Sequence, residues 1–186
     1  QIDVLAQAAH ERGLSVHLDG ARLFNAHIHT GLSPKELTKN CDSVSICLSK
    51  GLGAPVGTLL VSSHEIIAKA KRIRKILGGS MRQVGVLAAC GMYALKNNIE
   101  RLQEDHDNAK LLAQGLSEIS ELEVDYGENQ TNMLFVNCPE EHRAPLEQYL
   151  FDNHIRISSL DRGRLVCHLG ITEKDIRSVI EVFREY

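Results

Sequence analysis

Two short apolar runs near the start of the chain end abruptly in chemically loaded residues, and this constrains the fold more than any other feature. Leu14-Ser15-Val16-His17-Leu18 stops at Asp19-Gly20, and Ser43-Val44-Ser45-Ile46-Cys47-Leu48 stops at Ser49-Lys50-Gly51. Runs of this length bounded by turn residues read as strands. Between them, Ser33-Pro34-Lys35-Glu36 is a capping box with proline at the first helical position. Gly57-Thr58-Leu59-Leu60-Val61 reads as a third, buried strand, and Ser62 with Glu65 has the spacing to open another helix. Ahead of all these, Ile2, Leu5, Ala6 and Ala9 fall at helical spacing, with Gly13 placed as a helix C-terminal glycine. Strand, helix, strand and strand, with functional residues at the strand ends, describe an open α/β sheet. Such sheets bind ligands beyond the carboxyl ends of their strands.

The remainder has a different texture. Residues 84 to about 116 read as helical, with a break near Asn97-Asn98. Beyond Ser120 come short strands (Met133–Val136, Arg156–Ser158, Leu165–His168) and two helices, about Glu140–Phe151 and Thr172–Arg184. The last is opened by Thr172 and Asp175 and buries Ile176, Val179, Ile180 and Phe183. This tail reads as a separate small α+β domain.

Composition excludes several function classes. The 186 residues carry 21 Lys and Arg against 24 Asp and Glu, a net charge of −3, which is too balanced for a dedicated nucleic-acid binder. With 43% hydrophobic residues, 4% aromatic and no Trp, the core must be aliphatic. No stretch is long and apolar enough to span a membrane. Cys41, Cys47, Cys90, Cys138 and Cys167 form no C-x-x-C pair and mostly have apolar neighbours. They read as reduced, buried thiols of a reducing, cytoplasmic compartment. The nine histidines include no pair with metal-ligand spacing and carboxylate or thiol support, so no metal is expected. His17, inside a strand, reads as a satisfied core histidine, and His168 is worth watching near a site. The chain begins at Gln1, without Met and inside an amphipathic segment, which reads as a piece of something longer.

Lys50 and Asp19 carry the chemistry. A lysine at the end of an apolar strand, followed by Gly51-Leu52-Gly53-Ala54-Pro55, suits an amine that joins a carbonyl cofactor. A solvated lysine at a strand end is the plainer alternative. Asp19 ends its own strand 31 residues earlier, so both groups can emerge on one edge of a sheet. Pyridoxal phosphate needs such a pair: an amine for its aldehyde, and a carboxylate that keeps the pyridine nitrogen protonated. An ordinary Asp-Gly turn is the competing reading of Asp19.

The longer runs are distinctive. His17-Leu18-Asp19-Gly20-Ala21-Arg22-Leu23-Phe24-Asn25 and the segment from Cys41 to Gly57 closely resemble the low-specificity threonine aldolases. The likeness continues through Gly78-Gly79-Ser80-Met81-Arg82-Gln83, Ala94–Asn98, Leu102–His106 and Thr131–Val136, so it spans essentially the whole chain. It implies an aspartate-aminotransferase-like fold of type I, with residues 1–97 the later part of the large cofactor-binding domain and 98–186 the small C-terminal domain. It further implies pyridoxal 5'-phosphate as cofactor and cleavage of threonine or allo-threonine to glycine and acetaldehyde. β-Elimination or racemisation on the same scaffold, or an incomplete fragment that serves only as a binding or assembly partner, are the alternatives.

Position by position, the resemblance makes Lys50 the Schiff-base lysine and Asp19 the partner of the pyridine nitrogen. Arg22 stands by the cofactor's 3-oxygen and the substrate carboxylate, and Arg164 clamps that carboxylate from the small domain, with Arg162 as its rival. Five basic residues crowd Lys69-Ala70-Lys71-Arg72-Ile73-Arg74-Lys75, which reads as a solvated helix face. By resemblance, this segment and Arg82 lie near an active site shared between subunits of a homo-oligomer, a dimer or tetramer, where positive charge suits the cofactor phosphate. The partners implied are a small amino acid and further copies of the chain, with no nucleic acid and no membrane. The glycine-rich phosphate turn and the histidine stacked on the ring are expected outside these residues, since Gly51-Leu52-Gly53 is too short to cradle a phosphate.

Overall fold

The computed structural model describes residues 2–128 and 130–186. It divides into two compact units, residues 1–100 and 101–186.

The first unit begins with α1 (Ile2–His10), ended by Gly13 at φ +71°, followed by β1 (His17–Asp19). Next come α2 (Leu23–Thr30), α3 (Pro34–Leu37) and β2 (Ser43–Cys47). The capping box forms as read: the Ser33 hydroxyl accepts from the Glu36 amide, and the Glu36 carboxylate accepts from the Ser33 amide at 2.8 Å. β3 (Thr58–Ser62), α4 (His64–Ile76) and α5 (Gly85–Asn97) complete the unit. The sheet order is β1-β2-β3, with β1 parallel to β2 and β3 antiparallel to it.

Three expectations need correction in this unit. β3 is an exposed strand, with Leu59, Leu60 and Val61 39%, 42% and 51% accessible, because a short apolar run alone does not say which faces are covered. The cap of α4 is Ser63, whose hydroxyl accepts from the Ile66 amide, and not Ser62. Ser62 still belongs to the ladder opposite Ser43, and its hydroxyl donates to the Asp42 carbonyl at 2.5 Å. His17 is exposed rather than in the core, although its Nδ1 pairs with the Ser43 hydroxyl at 2.8 Å. The buried apolar residues are few, among them Ala6, Leu23, Val44, Leu48, Leu52, Ala54 and Ala94. Leu5 on α1 and Ile76 on α4 are largely exposed.

The second unit holds α6 (Leu102–Ser117), β4 (Glu123–Asp125), β5 (Met133–Asn137), α7 (Glu140–Asp152), β6 (Gly163–Val166) and α8 (Glu173–Glu185). Its antiparallel sheet, β4-β5-β6, turns Leu134 and Val136 inward onto Leu112, Leu116, Leu150, Ile180 and Phe183. α6 and α8 approach so closely that a Cβ on Gly115 would stand 2.5 Å from Ile180 Cδ1. Residues 156–158, expected as a strand, join no strand ladder among the described residues, and β6 starts two residues earlier than expected. Gly163 permits that start, because a Cβ there would collide with the Ser159 carbonyl. β4 was not legible beforehand: one apolar residue between two acids is weak strand signal, and pairing with β5 makes it a strand. Among the described residues no helix is long and apolar enough to cross a membrane, and no cluster could hold a metal ion.

Candidate active site

Adjacent parallel strands put Asp19 and Lys50 at the same edge of the first sheet. Asp19 is the last residue of β1 and stands opposite Ser45 in the ladder. Opposed residues point to one face, as do residues two apart along a strand, so Asp19, Ser45 and Cys47 share a face. The Ser45 hydroxyl donates to Asp19 Oδ1 at 3.5 Å, and the Ala21 amide donates to the same oxygen at 3.2 Å. The chain turns away immediately afterwards. Gly20 is buried there, and a Cβ on it would lie 2.9 Å from the Ser45 carbonyl oxygen. Only glycine lets the end of β1 lie this close to β2.

Lys50 is exposed just beyond β2, as the first residue of a closed loop. The Gly53 amide donates to the Lys50 carbonyl at 2.8 Å, the Ala54 amide to the Leu48 carbonyl at 3.0 Å, and the Leu48 amide to the Gly57 carbonyl at 2.9 Å. Gly53 and Gly57 have φ of +72° and +133°, conformations that other residues adopt only under strain. Buried Leu52 and Ala54 hold the loop down.

Arg22 is half-buried at the start of α2. Its charge and that of Lys50 both act on Cys47, whose Sγ lies 3.4 Å from the Ser49 hydroxyl. Partial burial pushes the Cys47 thiol up. The Ser49 hydroxyl and backbone, then Lys50 and Arg22, outweigh that and leave the thiol below its ordinary value. The charges of Arg22 and Lys50 thus act on a thiol, on the Asp19 face of β2, that sequence reasoning missed. The available signal was the alternation Ser45, Cys47 on the strand that runs to Lys50.

The other expected residues belong to other elements. Arg82 is exposed in the connection between α4 and α5. The basic run on α4 is solvated, and Lys69 pairs with Glu65 at 2.6 Å. Arg164 belongs to the second unit, as the second residue of β6, exposed and opposite Phe135 of β5. It lines a cleft of about 460 Å³ with Arg156, His168 and Asp175. Arg162 sits in the preceding turn at φ +48°, its amide donating to Asn137 Oδ1 at 3.3 Å. His168 is exposed, and its Nδ1 accepts from the Gly170 amide.

As a donor set, an exposed amine and a carboxylate at neighbouring strand ends fit a pyridine aldehyde at two points. The glycine run after Lys50 does not add a phosphate cradle, since the Gly53 and Ala54 amides are spent inside the loop.

Comparison with known proteins adds a lineage. The chain is 49% identical over 176 residues to the low specificity L-threonine aldolase of Escherichia coli O157:H7, covering 95% of this chain and 52% of that protein. It is 42% identical over 186 residues to low-specificity L-threonine aldolase 1 of Arabidopsis thaliana, covering 97% and 52%. The chain therefore spans about half the length of the curated relatives it matches. The structure of Leishmania major threonine aldolase superposes with a TM-score of 0.78 at 21% identity, covering 97% of this chain and 54% of that one, so the fold is shared. The profile of the beta-eliminating lyases matches residues 1–139, three-quarters of the sequence, and the chain belongs to that family.

Proposed function

We propose that the protein carrying this chain cleaves L-threonine or L-allo-threonine to glycine and acetaldehyde with pyridoxal 5'-phosphate as cofactor. The observation that carries the reading is the placement of Asp19 at the end of β1 and Lys50 just beyond the end of the neighbouring parallel β2. It is supported by the identity to proteins named as threonine aldolases.

Residues 1–97 belong in this reading to a large α/β domain and 98–186 to a small C-terminal one. Pyridoxal phosphate, when bound, supplies an electron-accepting ring for charge developing at the amino acid's Cα. Lys50 holds its aldehyde through Nζ. Asp19, fixed through Oδ1 by Ser45 and Ala21, keeps the proton on the pyridine nitrogen. Arg22 and Arg164 grip the substrate carboxylate, for which a guanidinium fork is the matching partner. A carboxylate gripped in this way would fix the orientation of the substrate's Cα–Cβ bond, whose cleavage, with loss of the β-hydroxyl proton to a base, yields acetaldehyde and glycine. Arg82 contributes positive charge toward the phosphate. The active species is a homo-oligomer, dimer or tetramer, with sites shared between subunits, in a reducing compartment.

The test is product identity. The complete protein, loaded with cofactor and given threonine, should form acetaldehyde and glycine in equal amounts. Release of an oxo acid with ammonia and no acetaldehyde would instead assign β-elimination, and racemised threonine alone would assign a racemase.

A further inference from the structure

The loop that presents Lys50 closes on itself through three backbone hydrogen bonds, and its Leu52 carbonyl points elsewhere. That oxygen accepts a hydrogen bond of 2.7 Å from the side-chain amide of Asn98, 46 residues on. Only the NH₂ of an asparagine can donate to a carbonyl, so the chemistry settles the orientation of the amide. Asn98 is half-buried at the C-terminal end of α5, its own backbone amide donating to the Ala94 carbonyl at 2.9 Å. The same helix meets the strand end a second time: buried Gly91 lies against Leu48, where a Cβ would stand 2.9 Å from Leu48 Cδ1. α5 and its C-cap Asn98 therefore touch the Lys50 loop two residues before the lysine and two residues after it.

We infer that Asn98 is a positioning residue, which fixes the loop through the Leu52 carbonyl so that the Lys50 amine meets the cofactor aldehyde in a reactive geometry. This rests on Lys50 being the cofactor lysine. The backbone from Lys50 to Gly53 is a single turn, so a loop untethered at Leu52 moves the Cα of Lys50 with it. Displacement of a reacting group by about 1 Å costs up to roughly a hundredfold in rate.

The test uses the complete protein, freed of cofactor and then given pyridoxal phosphate. Borohydride added at intervals traps the attached cofactor, and peptide mapping gives the rate of attachment at Lys50. Asn98→Asp keeps the shape and loses the donor, and Asn98→Ser serves if that variant does not fold. Asn97→Ala is the control, because Asn97 donates to the Tyr93 carbonyl at 2.8 Å at the same helix end. Asn98→Asp should slow attachment by about ten- to a hundredfold, whereas Asn97→Ala, at an exposed residue whose bond stays within the helix, should leave it near wild type. An unchanged rate in Asn98→Asp, or equal slowing in both variants, overturns the positioning role. Label on another lysine in the wild-type protein overturns the site assignment itself, and the role of Asn98 falls with it.

Discussion

Replacing Gly20 by alanine tests the packing that brings Asp19 beside β2. The added methyl would lie 2.9 Å from the Ser45 carbonyl oxygen and 3.0 Å from Val44 Cγ1. An ordinary carbon–oxygen contact is about 3.3 Å or more, so one group must move by about 0.4 Å. Neither is free to do so: Ser45 is held in ladders on both sides, and Val44 is buried. Overpacking of this kind costs about 1–3 kcal/mol, and the entropy removed from the unfolded chain offsets about 0.4–1 kcal/mol. The net expectation is a loss of about 1–2 kcal/mol, or roughly 5–15 °C in melting temperature for a unit of this size. Gly85→Ala is the counterpart, since a Cβ at the start of α5 meets nothing within 4 Å. It should stabilise by up to about 1 kcal/mol. Urea unfolding at constant m-value compares the two. If Gly20→Ala is as stable as Gly85→Ala, the close approach of β1 to β2 is not as described.

Three further outcomes follow from the same geometry. Cys47, its thiol below the ordinary value, should be alkylated by iodoacetamide at lower pH than Cys167, which burial first and then Asp105 push up to about 12; equal labelling of both by mass spectrometry would contradict this. Asp42 accepts from the Val16 amide at 2.7 Å and pairs with His10, which hold its carboxyl below the ordinary 3.8. A carboxyl depressed by folding stabilises above its unfolded value and loses that effect as pH falls. Asp42→Asn should therefore lower the melting temperature at about pH 7, with the gap to wild type closing towards about pH 3; a gap that widens in acid refutes the assignment. Arg164→Lys keeps the charge but loses the fork, and should raise KM by roughly ten- to a hundredfold, equivalent to about 1.5–3 kcal/mol. Arg162→Lys, in the turn before β6, should do much less, and the reverse order would move the carboxylate clamp to Arg162.

Local rules carried the sequence reading wherever the cause was local. Asp19 and Lys50 were legible because each ends an apolar run at a turn, and Ser33 and Thr172 because a capping box needs only four residues. What depends on a neighbour was not legible. Ser62 matched the spacing of a cap, yet the strand opposite Ser43 claims its backbone and Asp42 claims its hydroxyl. Arg156-Ile157-Ser158 alternates like a strand but joins no strand ladder among the described residues, while Glu123-Val124-Asp125 pairs in spite of its acids. The exposure of β3 and the action of Arg22 and Lys50 on the Cys47 thiol likewise depend on what the fold brings alongside.

We propose that Lys50 is the amine that holds the cofactor. Borohydride reduction of the complete, cofactor-loaded protein followed by peptide mass spectrometry addresses it directly. One pyridoxyl adduct is expected, on the peptide containing Lys50, and none at that position in a Lys50→Ala variant. An adduct on any other lysine, or wild-type yield in Lys50→Ala, would contradict it.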